Sequence, residues 1–313
     1  MKRRRFIGTL AAGILASRGA TSADRPARPV RIGLLRMGEA PFTTFFWDAM
    51  RKHGWVEHQN FTLEPRYARD ASELNALAAE LVRLGVDLIL TDGTPATRAA
   101  RNATSTIPIV FVLAADPVEN GLVASLARPG GNLTGIAFGF FDAKQLQILK
   151  QAVPRVARVA CLTEVRNPEL VSAGAELGIE VKIIAGTSSA DLPNFFAEAK
   201  QSRVDAAVFP NTPWSYPTTE SFAAEALRLR MPSVGTWRNF AVSGGLIAYG
   251  PDPSKYRQRM IDQVDKILRG RKPADLPVVR PTEFYLAINL RTAKALDVSI
   301  PPSLVLRADE LIE

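Results

Sequence analysis

The segment Val86 to Thr97, VDLILTDGTPAT, constrains the fold more than any other part of the chain. Val86 to Leu90 is an apolar run broken only by Asp87, the pattern of a strand covered on both faces in a parallel sheet. It passes directly into Asp92-Gly93-Thr94-Pro95 and a helical pattern. Thr94 predicts a helix N-cap and Pro95 its first position, which would leave the N–H groups of Ala96 and Thr97 open at the carboxyl end of a sheet. Such a turn can seat a small carboxylate or phosphate, and open α/β sheets bind ligands at these strand ends. An ordinary capped helix start with nothing bound satisfies the same residues, and the turn specifies no chemistry.

Strand and helix patterns alternate in two series. In the first, Val30 to Leu35 is a buried-strand run, and Phe42 to His53 places Phe42, Phe46, Ala49, Met50 and His53 on one helical face before Gly54. Phe61 to Tyr67 alternates as a strand that Pro65 assigns to a sheet edge. Ser72 opens a helix with a Leu74, Leu77, Leu81, Val82 stripe, closed by Gly85 ahead of the Val86 strand. Ile107 to Leu113 predicts a strand, Pro117 to Leu126 a helix, and Leu133 to Phe138 a further strand after the Pro129-Gly130-Gly131 turn. These are five βα-type repeats of a doubly wound parallel sheet.

The second series has strand patterns at Val156 to Leu162, Ile179 to Ile184, Ala206 to Phe209, Ser233 to Thr236 and Leu246 to Tyr249, with helical patterns near Leu192 to Lys200 and Thr219 to Leu229. Tyr256, Met260, Ile261, Val264 and Leu268 then mark a long amphipathic helix ending at Gly270. Pro273, Pro277 and Pro281 punctuate a crossing segment. The reading is two Rossmann-like α/β lobes, residues 24–139 plus 252–280 and residues 140–251 plus 281–313, with a ligand cleft between them. Two lobes also agree with the chain's length at about 150 residues per domain.

Residues 1–23 carry Lys2, Arg3, Arg4, Arg5 and Arg18 and no acidic residue, around an apolar stretch from Phe6 to Ala16. This is the form of a cleavable export signal, too short for a permanent membrane anchor, with cleavage near Ala23. Arg3-Arg4-Arg5-Phe6-Ile7 suits a twin-arginine route as well as the general secretory one. The expected location is the periplasm. Of the formal charge of +8, five cations belong to this segment, leaving +3 for the remainder. No basic run with interleaved aromatics remains, so nucleic acid is excluded as an expected partner. The single cysteine, Cys161, predicts a small core residue.

Catalytic chemistry finds little support. His53 and His58 are the only histidines and have no metal-ligand spacing. The chain has no Gly-x-Ser-x-Gly elbow and no phosphate loop, so no cofactor, metal or catalytic residue is expected. Glu39, Asp92 and Asp116 could converge at the strand ends, which keeps a carboxylate-based lyase or racemase as a minor alternative.

Longer phrases carry a resemblance. LVRLGVDLILTDGTPATRAA, NATSTIPIVFVLAADPV and GLVASLARPGGNLTG, together with GGLIAYGPD, VDKILRGRKPADLPV and INLRTAKALDVSIPPSLVLRADELIE, resemble the ABC-transporter substrate-binding proteins of the tryptophan/tyrosine type. The resemblance spans most of the chain after the signal. It implies a type I periplasmic-binding-protein fold and a monomer that captures a small solute, an amino acid foremost, and presents it to a membrane permease. A periplasmic sensor passing the same closure to a signalling receptor is the alternative. Two segments depart from the family pattern: Arg36-Met37-Gly38-Glu39-Ala40 is bulkier and more acidic than the usual turn, and Cys161 to Gly178 is shorter.

Carried over residue by residue, the resemblance places Asp92, Gly93, Thr94, Pro95 and Ala96 in the ligand loop, with Thr94 holding a carboxylate. Asp116, after the neighbouring strand, would accept from a ligand ammonium or else cap a helix ahead of Pro117. Met37, Gly38 and Phe138 complete the first wall. Asn211, Trp214, Thr236, Trp237 and Tyr249 end or follow strands of the second lobe, where the aromatics would either sandwich a flat side chain or pack in the core.

Overall fold

The computed structural model describes residues 28–38, 43–138, 141–163, 168–186, 189–209 and 215–313. The predicted export signal, Glu39, Ala40, Asn211 and Trp214 lie outside them.

The apolar runs of the first series become β1 (Val30–Met37), β2 (Phe61–Ala68), β3 (Leu88–Asp92), β4 (Ile109–Ala115) and β5 (Leu133–Phe138), with α1 (Thr43–Lys52), α2 (Leu74–Arg83) and α3 (Gly93–Ala103) between them. They form one parallel sheet in the order β2-β1-β3-β4-β5. Every residue of β5 is buried and β3 is buried up to its half-buried last residue, as helix-covered parallel strands require. Pro65 lies on β2, the edge strand, where its missing N–H interrupts no second ladder.

The chain then crosses into α4 (Asp142–Ala152), β6 (Arg158–Leu162), α5 (Pro168–Glu176), β7 (Glu180–Ile184), α6 (Leu192–Gln201), β8 (Ala206–Phe209), α7 (Ser215–Arg228), β9 (Ser233–Gly235), α8 (Arg238–Val242) and β10 (Ile247–Pro251). It returns to the first sheet as α9 (Pro253–Leu268) and crosses once more to β11 (Phe284–Asn289), α10 (Leu290–Ala295), α11 (Pro302–Val305) and β12 (Glu310–Ile312). The second sheet runs β12-β11-β10-β9-β8-β6-β7, parallel except where β11 runs against β10. The architecture is therefore α/β, with two Rossmann-like sheets.

Periodicity decides where α9 goes. Tyr256, Met260, Ile261, Val264 and Ile267 recur every three or four residues and share a core with Ile32, Leu34, Leu88, Leu90 and Val110 of the first sheet. Asp252 caps the helix by accepting the Ser254 N–H at 2.8 Å. The indole of Trp55 donates to Asp265 at 2.9 Å, pinning α9 to the end of α1. After α9, the backbone of Val279 bonds Gly135 and Ala137 of β5, both at 2.9 Å, before leaving for the second sheet. Cys161 is fully buried in the second core, as its composition argument expects, and burial pushes its thiol well above the usual range.

Three local expectations give way to the structure. Thr94 is not a cap: α3 begins two residues earlier than expected, at Gly93, with Asp92 in the N-cap position. The open N–H groups are consequently those of Gly93 and Thr94, and the predicted ones of Ala96 and Thr97 fall inside the helix. Pro117 to Leu126 is a chain of turns instead of a helix. Asn120 spends its amide on the carbonyls of Ala115 and Asp116, and Gly121 adopts φ 62°, so local side-chain bonds and a left-handed residue displace the helical ladder. Finally, α2 starts at Leu74, because Ser72 bonds Asp70 through both its N–H and its hydroxyl instead of capping. The strands β11 and β12 had no counterpart among the sequence patterns.

Candidate functional site

The carboxyl ends of β1, β3, β4 and β5 form one wall. Arg36 and Met37 end β1 half-buried, and exposed Gly38 turns the chain at φ 64° while its N–H bonds the Ala68 carbonyl at 2.8 Å. Asp92 ends β3, and its carboxylate meets the Arg36 guanidinium at 3.3 Å. Burial pushes the Asp92 carboxyl above the ordinary carboxylate range, and the charges of Arg36 and Arg257 pull it back. Gly93 turns strand into helix at φ 81°, a conformation that costs side-chain-bearing residues about 1–2 kcal/mol.

The hydroxyl of Thr94 is engaged as an acceptor. It accepts the N–H of Ala115, the last residue of β4, at 3.0 Å. Pro95 is half-buried, and Ala96 is fully buried against Ala99, Ala100 and Phe111, so its side chain belongs to the core. Thr97, also buried, donates to the Gly93 carbonyl at 2.8 Å and lies 2.9 Å from the Thr91 hydroxyl, locking the helix start onto β3.

A bulge shapes the end of β4. Its register against β5 shifts between Val112 and Ala114, with Leu113 at φ 61°. The extra residue re-aims Ala115 and Asp116, a common use of bulges beside sites. Gly135 makes the bulge possible: a Cβ there would stand 2.1 Å from the Phe111 carbonyl oxygen. Asp116, at φ 22°, accepts the Glu119 N–H at 3.2 Å, which gives its carboxylate a role in its own turn.

The second wall comes from β9, β10 and α4. Thr236 is buried and its hydroxyl takes the Gln145 amide at 3.3 Å, while the same amide reaches the Tyr249 carbonyl at 2.7 Å. Gln145 is wholly buried, and its carbonyl oxygen has no partner among the described residues. Trp237 occupies the N-cap position of α8. Half-buried Tyr249 stacks on Phe284 with centroids 5.4 Å apart and rings 8° from parallel, and burial raises its hydroxyl above the usual range.

The walls meet through aromatic rings. Phe138, at the end of β5, lies 6.2 Å from Trp237 and 6.2 Å from Tyr256, and 5.3 Å from Phe141 at the crossing into α4. Phe141 contacts Phe284 at 6.0 Å, which closes a chain of rings across the three crossings. Beside them the Asp252 N–H bonds the Glu283 carbonyl at 3.0 Å, and the Glu283 carboxylate sits 3.5 Å from both Lys255 and Arg259. Sequence reasoning passed over Gln145, Phe141, Phe284 and Arg257. Only Phe141, next to a predicted crossing, left a local signal. Among the described residues no group of acids, histidines and cysteines could hold a metal, and no helix is long and apolar enough to cross a membrane.

Solved structures share this fold. A conserved domain protein from Vibrio cholerae superposes with a TM-score of 0.85 at 23% identity, over 91% of this chain and all of the other. A domain from Streptococcus pneumonia solved in complex with L-Trp gives 0.82 at 22% identity, over 91% of this chain and all of that one. In sequence, the tyrosine-binding protein of Clostridioides difficile is 26% identical over 261 residues, 81% of this chain and 75% of the relative. Residues 46–312 match the model of the ABC transporter substrate binding proteins, a family of solute receptors that are not enzymes, and this chain belongs to it.

Proposed function

We propose that the protein is the extracytoplasmic receptor of an ABC importer, capturing a small carboxylate-bearing solute, an aromatic amino acid foremost, between its lobes. The observation that carries this reading is the 6.2 Å approach of Phe138 on the first sheet to Trp237 on the second, beside the strand ends of both. Both rings are buried and packed on one another, and an aromatic solute joining them would gain about 0.5–1.5 kcal/mol per pair beyond area burial. The tyrosine-binding relative and the L-Trp complex support the same solute class.

The lobes that close are residues 24–139 plus 252–280 and 140–251 plus 281–313. The crossings at Phe138 to Asp142, Tyr249 to Asp252 and Val279 to Thr282 serve as hinge, and closure is what the permease reads. The monomer works outside the cytoplasm after losing its first 23 residues, and it takes neither cofactor nor nucleic acid. Of the expected contacts, Met37, Gly38, Asp116, Phe138, Thr236, Trp237 and Tyr249 belong to the strands of the two sheets or the turns that follow them, while Asn211 and Trp214 lie outside the described residues. A thermal-shift screen tests the reading: a solute at about 100 times its dissociation constant adds about 2.7 kcal/mol of stability. Amino acids or organic acids should raise the melting temperature. A shift produced only by sugars or cations refutes the carboxylate assignment.

A further inference from the structure

Two guanidiniums bear on one carboxylate at the end of the first wall. Arg36 leaves the buried run of β1 with its side chain only 12% exposed and pairs with Asp92 through one terminal nitrogen, at 3.3 Å. Its Nε is buried and has no hydrogen-bond partner among the described residues. Arg257, half-buried on the first turn of α9, acts on the same carboxylate. Its guanidinium lies 5.9 Å from the Tyr256 ring centre, and it forms no salt bridge among the described residues. Tyr256 in turn packs on Phe138.

Arg36, Arg257 and Asp92 together sum to +1, in a place where Asp92 is only 23% exposed and water screens poorly. A guanidinium presents five donors in a planar fork, and Arg36 uses one of them on Asp92. The hydroxyl of Thr94, the expected anion contact, accepts the Ala115 N–H and keeps its own proton to donate.

We propose that Arg36, oriented by Asp92 and seconded by Arg257, is the group that binds the carboxylate of the solute. Asp92 is then a positioning residue: it holds one terminal nitrogen of the Arg36 fork and leaves the remaining donors for the ligand. The assignment rests on the solute-receptor reading and adds to it the residues that select for an anion.

The test is calorimetric titration of the purified protein with matched probes: L-tryptophan, L-tyrosine, L-phenylalanine, benzoate and succinate, each beside its carboxamide, plus tryptamine and tyramine. The expected result is that at least one acid binds, that its carboxamide binds at least ten-fold more weakly, and that Arg36→Gln and Arg257→Gln each weaken the acid at least ten-fold. The same substitutions should leave carboxamide binding within two-fold. If Arg36→Gln strands Asp92 and fails to fold, the double variant Arg36→Gln/Asp92→Asn removes both charges and must show the same selective loss. Equal binding of acid and carboxamide, or equal losses for both, overturns the Arg36 assignment while leaving the solute receptor intact. Binding of the amines alone overturns the assignment together with the carboxylate reading. If nothing binds, the assignment falls along with the amino-acid reading.

Discussion

Replacing Thr94 with Val removes one hydroxyl at nearly constant volume and keeps the β-branch, so helix propensity at the start of α3 changes by only a few tenths of a kcal/mol. What it deletes is the acceptor for the Ala115 N–H, a 3.0 Å bond joining the first turn of α3 to the end of β4. A neutral hydrogen bond is worth about 1 kcal/mol net, and a stranded donor costs about 1–3 kcal/mol. Both Thr94 and Ala115 are half-buried, so water can reach the stranded N–H and the low end applies. The expected loss is about 1 kcal/mol, or about 1.5 °C in melting temperature for a protein of this size. Urea denaturation followed by tryptophan fluorescence, without ligand, measures it directly. Affinity should fall only as far as the end of β4 is displaced. An unchanged ligand-free stability together with a large loss of affinity would refute the reasoning, since the hydroxyl would then face the solute.

Other consequences are equally accessible. Gly135→Ala should prevent soluble expression or cost more than about 3 kcal/mol, beyond the usual range for point substitutions, because its Cβ would meet the Phe111 backbone at 2.1 Å in a left-handed conformation. Asp116→Asn should leave ligand-free stability within about 0.5 kcal/mol, since Asn also accepts the Glu119 N–H, while weakening a solute that bears an ammonium group; equal losses in both would leave Asp116 only its turn. Glu310 is held below the ordinary carboxylate range by bonds from Arg238 and Tyr285. Its folded pKa is depressed, so its contribution is present above the unfolded value of about 4.3 and disappears as pH falls through the folded one. Glu310→Gln should therefore lower stability at pH 7 and match the parent in strong acid, as paired pH-denaturation curves will show.

Much of the fold was legible because burial on both faces writes itself into composition. The runs at Leu88, Leu133 and Ala206 are buried without alternation, and each became a helix-covered parallel strand. Pro65 marked the sheet edge, and the stripe from Tyr256 to Leu268 announced α9. Local pattern failed where side chains compete with the backbone. Asn120 and Gly121 dissolved the helix expected after Pro117, and Asp70 drew Ser72 away from its cap. It also missed β11 and β12, which complete the second sheet after a long crossing.

Sequence alone thus determined the α/β class, the two series of strands and the strand ends at which a ligand would be sought. Each of these follows from period and burial, which act over a few residues. Tertiary structure decided which groups at those ends are available. It gave the Thr94 hydroxyl to Ala115, drew Arg36 to Asp92 across 56 positions and brought Phe138 to Trp237 across 99. Those outcomes depend on strand order, on the bulge at Leu113 and on three crossings that fold distant segments together. No periodicity encodes such contacts, because they arise only when both partners are already held by their own sheets.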